Sequence, residues 1–133
     1  MASEPSVLIV DDDVGILETM SDILKDHCFN VAIADNGYMA IELIRENTFD
    51  VILMDIKMPG IDGVETYRRI KRFNPQAKVI FMTAYAHEDR LAEAKFEGAS
   101  AILYKPFDID NLEKLIRASR MNGCNSRCYK NTQ

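Results

Sequence analysis

Ser6 to Asp26 reads SVLIVDDDVGILETMSDILKD, and the order of its residue types sets the fold. Five residues dominated by β-branched and aliphatic side chains are followed by three consecutive acids. A stretch with Ile16, Leu17, Met20, Ile23 and Leu24 at i, i+3, i+4 spacing comes next. The first run has the length and near-continuous apolarity of a strand covered on both faces, the second the period of an amphipathic helix. Together they form a strand–turn–helix unit, with Asp13 placed to cap the helix over Val14–Asp26.

Working outward, the pattern repeats. Val31–Ala34, Val51–Met54, Lys78–Met82 and Ala101–Tyr104 are further expected strands. The expected helices are Gly37–Asn47, Gly63–Phe73 (stopping before Asn74-Pro75), Glu88–Glu97 (closed by Gly98) and Ile109–Arg120 (capped by Asp108). Five βα pairs predict an α/β fold, an open doubly wound parallel sheet with five helices, because a closed eight-stranded barrel needs about twice this length. The fourth helix has the poorest apolar face, with Leu91 and Ala94 alone clearly on one side, so its docking is expected to be the easiest to shift. Apolar periodicity stops at Met121, so residues 1–120 are expected to form one domain and 121–133 a disordered tail or linker remnant.

Composition agrees with a single globular domain. The chain has 133 residues, 47% hydrophobic and 28% charged, with no apolar run of the length a membrane span needs and no secretory signal pattern at its start. Cys28, Cys124 and Cys128 are odd in number and suit free thiols in a reducing cytoplasm better than a disulfide scaffold or a zinc site. Net charge is −5, divided between 21 acids against 11 bases up to Glu113 and five bases with no acid after it. An acidic body disfavours general binding to nucleic-acid backbones, so no direct DNA contact is expected from this segment.

In open parallel sheets, sites form beyond the carboxyl ends of the strands. Asp11, Asp12 and Asp13 stand beyond the first strand, Asp55 beyond the third, Thr83 beyond the fourth and Lys105 beyond the fifth. Any one of these could be an ordinary turn or cap residue. Carboxylates converging from different strands repel unless a cation lies between them, and Mg²⁺ is the natural hard divalent candidate. With a metal in place, Lys105 and the Thr83 hydroxyl complete a pocket for a dianionic group.

VLIVDDD, VILMDIKMPGIDG, IFMTA and AILYKPF, in this order and spacing, resemble the receiver domain of bacterial two-component response regulators over residues 6–118. The resemblance implies a flavodoxin-like strand order 2-1-3-4-5 and phosphoryl transfer from a sensor histidine kinase or histidine phosphotransfer protein. By position it makes Asp55 the phosphoacceptor, and Asp11, Asp12, Asp55 and the backbone carbonyl of Lys57 the Mg²⁺ ligands. Thr83 becomes the switch hydroxyl and Lys105 the phosphoryl-binding lysine, aimed by a cis Lys105-Pro106 bond. Such a protein is a regulatory phosphoacceptor rather than an enzyme acting on a separate substrate. Its output would pass to a partner docked on the domain or to a fused domain. Lys57 and Tyr85 flank the expected pocket mouth and would set the phosphoryl lifetime.

One position departs from the family. Relatives carry Tyr or Phe three residues before the lysine, where this chain has Ile102; Tyr104 shares that face of the strand. Three alternatives stand beside this reading. A haloacid-dehalogenase-type phosphatase wants a second Asp where Lys57 stands. A flavodoxin-like electron carrier would have its phosphate repelled by Asp11, Asp12 and Asp13. A degenerate receiver acting only as an interaction module would lack one of the site groups.

Overall fold

The computed structural model describes residues 4–84 and 90–121. Its elements run β1 (Ser6–Val10), α1 (Val14–Asp26), β2 (Asn30–Ala34), α2 (Gly37–Glu46), β3 (Val51–Asp55), α3 (Gly63–Phe73), β4 (Val79–Thr83), α4 (Leu91–Phe96), β5 (Ala101–Tyr104) and α5 (Ile109–Met121). The strands form one parallel sheet in the order β2-β1-β3-β4-β5, as the resemblance implies.

Alternation along each strand divides the core in two. Val7, Ile9, Leu53, Ile80 and Met82 face α1 and α5, where they meet Leu17, Leu24, Leu112 and Ile116. Leu8, Val10, Ile52, Met54 and Phe81 face the opposite layer and pack with Ile41, Val64, Tyr67, Ile70 and Leu91. The central strands are therefore buried on both faces, which is why their sequences are nearly continuous apolar runs.

Helix ends follow local side-chain chemistry. Asp13 accepts a hydrogen bond from the Ile16 amide at 3.2 Å, and Asp108 from the Asn111 amide at 2.6 Å, both as expected caps. Asn36 and Asp62 do the same for α2 and α3, accepting from Met39 and Glu65 at 2.9 Å each. Gly98, with φ +102°, closes α4. Its N–H donates to the Lys95 carbonyl and that of Ala99 to the Ala94 carbonyl, the paired bonds of a Schellman end.

Three boundaries differ from expectation. β3 extends through Asp55, and β4 runs one residue later than expected at both ends, to Thr83. Both polar residues belong to the ladder, with Asp55 opposite Met82 and Thr83 opposite Tyr104. Apolarity marks where strand burial ends, but backbone pairing carries on one step further. The described part of α4 begins at Leu91; the expected start at Glu88 lies outside the described residues, as do Tyr85 and the segment 122–133. Among the described residues no helix is long and apolar enough to cross a membrane. Cys28 is an exposed free thiol; Cys124 and Cys128 fall outside the described residues.

Candidate phosphoryl-acceptor site

The carboxyl ends of β1 and β3 bring Asp11, Asp12 and Asp55 together, with one oxygen from each within 4.8 Å of the others. Asp11 is 1% exposed. It is fixed by its own amide donating to the Ala34 carbonyl at 3.2 Å and by its Oδ1 accepting from the Asp13 amide at 2.9 Å. Asp12 points to solvent at the pocket edge. Lys105 reaches in from the end of β5, its Nζ 3.0 Å from Asp11 Oδ2 and 3.5 Å from Asp55 Oδ2. Its backbone N–H donates to the Thr83 carbonyl at 2.7 Å, and the Lys105-Pro106 bond is cis. Thr83, 1% exposed, ends the neighbouring strand.

The electrostatics carry a conflict. Burial first, and the Asp11 charge second, push the Asp55 carboxyl up to about 6, against the opposing pull of Lys105 and a hydrogen bond from the Lys57 backbone. One ammonium faces three carboxylates. The donor set therefore fits a hard divalent cation, which takes oxygen ligands and removes the repulsion. The observed span is close to the ~4 Å separating opposite ligands of one six-coordinate Mg²⁺.

The conflict makes a measurable prediction. A carboxyl whose folded pKa lies above its unfolded value binds more protons in the folded state. Its ionisation then lowers stability between pH ~4 and ~6, and the full penalty stands at neutral pH. Replacing Asp55 with Asn should stabilise the metal-free protein at pH 7.5 by about 1–2 kcal/mol, after discounting for solvent screening, with the gain fading below pH ~4. Urea unfolding in a chelating buffer at the two pH values checks this; a gain independent of pH would remove Asp55 ionisation as its cause.

The loop after Asp55 is set by close packing. Gly63, the first residue of α3, donates its N–H to the Ile56 carbonyl at 2.7 Å. A side chain there would fall on the Asp55 carbonyl oxygen and lie 3.1 Å from the Phe81 ring. A shallow pocket of about 340 Å³ next to the acids is lined by Asp12, Lys57, Met58, Pro59 and Asp62. A second hollow of about 670 Å³ opens between α1 and the start of α5, where Ile16, Met20, Ile23, Pro106 and Phe107 form an apolar wall running up to Lys105. The sequence gave no sign of this hollow, because its walls come from opposite ends of the chain.

All the expected site residues thus stand at one edge of the sheet. Ile102 is half-buried against the core layer that holds Leu91 and Ala94, while Tyr104 is 44% exposed. Of the two arrangements open to this departure, the phenol at the surface is the one observed.

Comparison with known proteins agrees with this architecture. The response regulator receiver domain family matches residues 7–117. Sporulation initiation phosphotransferase F of Bacillus subtilis is 35% identical over 111 residues, covering 84% of this chain and 90% of that protein. The transcriptional regulatory protein ZraR of Klebsiella oxytoca is 43% identical over 107 residues, 80% of this chain. This chain spans about a quarter (24%) of the length of that regulator. Among solved structures, the response regulator TrrA of Thermotoga maritima, in complex with Mg²⁺-BeF, superposes with a TM-score of 0.78 at 29% identity, covering 86% of this chain and 98% of that one. A response regulator receiver domain from Clostridium thermocellum gives 0.84 at 28%, covering 89% and 95%. The chain belongs to the response regulator receiver domain family, the signalling modules of two-component systems.

Proposed function

We propose that Asp55 accepts a phosphoryl group from a phosphohistidine in a Mg²⁺-dependent reaction, and that the phosphorylated domain presents an altered docking face. The observation that carries this reading is the convergence of Asp11, Asp12 and Asp55 within 4.8 Å, with Lys105 bridging two of them.

In this reading an Asp55 carboxylate oxygen attacks phosphorus in line, forming the P–O bond as the P–N bond to the donor imidazole breaks and its electron pair returns to the ring. A carboxylate is a weak nucleophile, so positioning and charge must do most of the work. Mg²⁺, held by Asp11, Asp12, Asp55 and the Lys57 backbone carbonyl, would supply positive charge to the oxygens of the transferring group. Lys105 already lies beside Asp55 and would follow the charge as it moves onto the phosphoryl oxygens. The Thr83 hydroxyl, at the end of β4, would take a further oxygen. Asp11, almost wholly buried, holds Lys105 in place through their 3.0 Å contact. The only reaction the domain promotes is its own phosphorylation and dephosphorylation.

The donor would be a sensor histidine kinase or a histidine phosphotransfer protein. The apolar hollow between α1 and α5 leads to Lys105 and suits the side of a donor helix carrying its histidine toward Asp55. Output passes either to a docked protein or to a domain fused in a longer product, the arrangement that ZraR's greater length suggests.

The basic test is incubation with Mg²⁺ and acetyl phosphate, which should add about 80 Da by intact mass, the mass of one phosphoryl group. Chelation of Mg²⁺ should abolish the gain. The docking part has a separate test: Phe107→Asp should slow transfer from a phosphohistidine protein at least about tenfold, a loss of ~1.4 kcal/mol, while leaving acetyl phosphate labelling near the parental rate. Equal loss with both donors would assign Phe107 to the chemistry rather than to partner docking.

A further inference from the structure

α4 is anchored differently from the other helices. Its described residues bury only Leu91 and Ala94, whereas α3 buries five residues and α1 four. Phe96, its largest apolar side chain, is 88% exposed and contributes nothing to docking.

Charges supply the remaining contacts. Arg68 on α3 donates from Nη2 to Glu93 at 2.7 Å and from Nε to Glu97 at 2.8 Å. Lys71, one turn on, donates to the Glu97 backbone carbonyl and lies 3.4 Å from its carboxylate. At the other end of α4, Arg90 pairs with Asp62 at 3.2 Å and with Glu93 at 3.4 Å. The Arg68–Glu93, Arg68–Glu97 and Asp62–Arg90 contacts join residues 25, 29 and 28 positions apart, so they tie one element to another rather than stiffening a single helix. The Arg68 guanidinium holds the Glu97 carboxyl below its ordinary range. Asp62 caps α3 and sits in the loop that leaves Asp55, so the clasp reaches from that loop to the first turn of α4.

We infer that α4 is a separately releasable element, held on the domain by this ionic clasp from α3 and the β3–α3 loop more than by apolar burial. The aromatic residue that relatives carry in β5 is replaced by Ile102, packed in the core layer beneath α4, so the clasp offers this chain its own control over how readily α4 moves. Isolated exposed ion pairs are weak, but here one guanidinium serves two carboxylates and a second basic residue shares one of them, the arrangement in which such pairs count. Salt weakens them, since the screening length falls to about 3 Å at 1 M.

The inference concerns the free protein and is tested there, without Mg²⁺ or phosphodonor, by amide hydrogen exchange. Arg68→Met keeps the aliphatic stem and removes the guanidinium; Asp62→Asn keeps the cap and removes the charge. In both variants, and in the parent moved from low salt to 1 M NaCl, the amides of Ala94, Glu97, Gly98 and Ala99 should exchange at least about threefold faster. Exchange in β1, β3, α1 and α5 should stay at the parental rate, and Arg68→Met should lose most of the salt sensitivity. Leu91→Ala supplies the contrast. If it releases α4 more than Arg68→Met does, if salt leaves these amides unmoved, or if all elements accelerate together, the clasp does not hold α4.

Discussion

The Asp55→Asn protein, given Mg²⁺ and acetyl phosphate, should show no mass gain under conditions in which the parent gains about 80 Da. Asn preserves the shape of the side chain and removes the nucleophilic oxygen charge, so the pocket remains while the bond-forming group is lost. The loss should be essentially complete, because no second carboxylate occupies the position of Asp55. Asp11 is buried and committed to Lys105 and the Asp13 amide, and Asp12 lies at the exposed edge. Labelling of the Asn variant at the parental rate would move the acceptor elsewhere and remove the proposed role of Asp55. The same variant should be folded, and indeed more stable without metal, so absence of labelling cannot be ascribed to unfolding once its urea midpoint is known.

The largest effect on stability is expected at Phe81. Its ring is fully buried at the centre of β4 and meets Tyr67 edge-on, with centroids 5.8 Å apart and planes at 73°. Truncation to Ala removes that contact and leaves a cavity beneath α3, a change that costs about 3–5 kcal/mol. Phe96→Ala, at a side chain 88% exposed, should stay within about 0.5 kcal/mol of the parent. Chemical denaturation of the two variants side by side checks both values. Comparable losses would mean that Phe96 is covered in solution, or that the layer around Phe81 collapses to fill the space.

These two phenylalanines mark the limit of what could be read from the chain. Both lie among residues of mixed character, and neither local period nor composition separates them. The strand register does, by placing Phe81 opposite Ile102 and turning its ring toward α3. The caps show a similar division. Asp13 and Asp108 are recognisable as acids directly before helical periods, whereas the capping by Asn36 and Asp62 emerged with the backbone around them.

The sequence by itself determined the alternation of strands and helices, because burial of both sheet faces demands continuous apolar runs and a surface helix demands a 3.6-residue stripe. It also located the site residues, since polar and charged groups interrupting those runs at strand ends have one sheet edge on which to gather. Tertiary structure alone decided which charges meet: Lys105 with Asp11 across 94 positions, Arg68 with Glu93 and Glu97, and Arg90 with Asp62. An ion pair depends on distances of a few ångströms between side chains whose charges look interchangeable along a sequence, and only the packing of α3 against α4 and of β5 against β4 selects the partners.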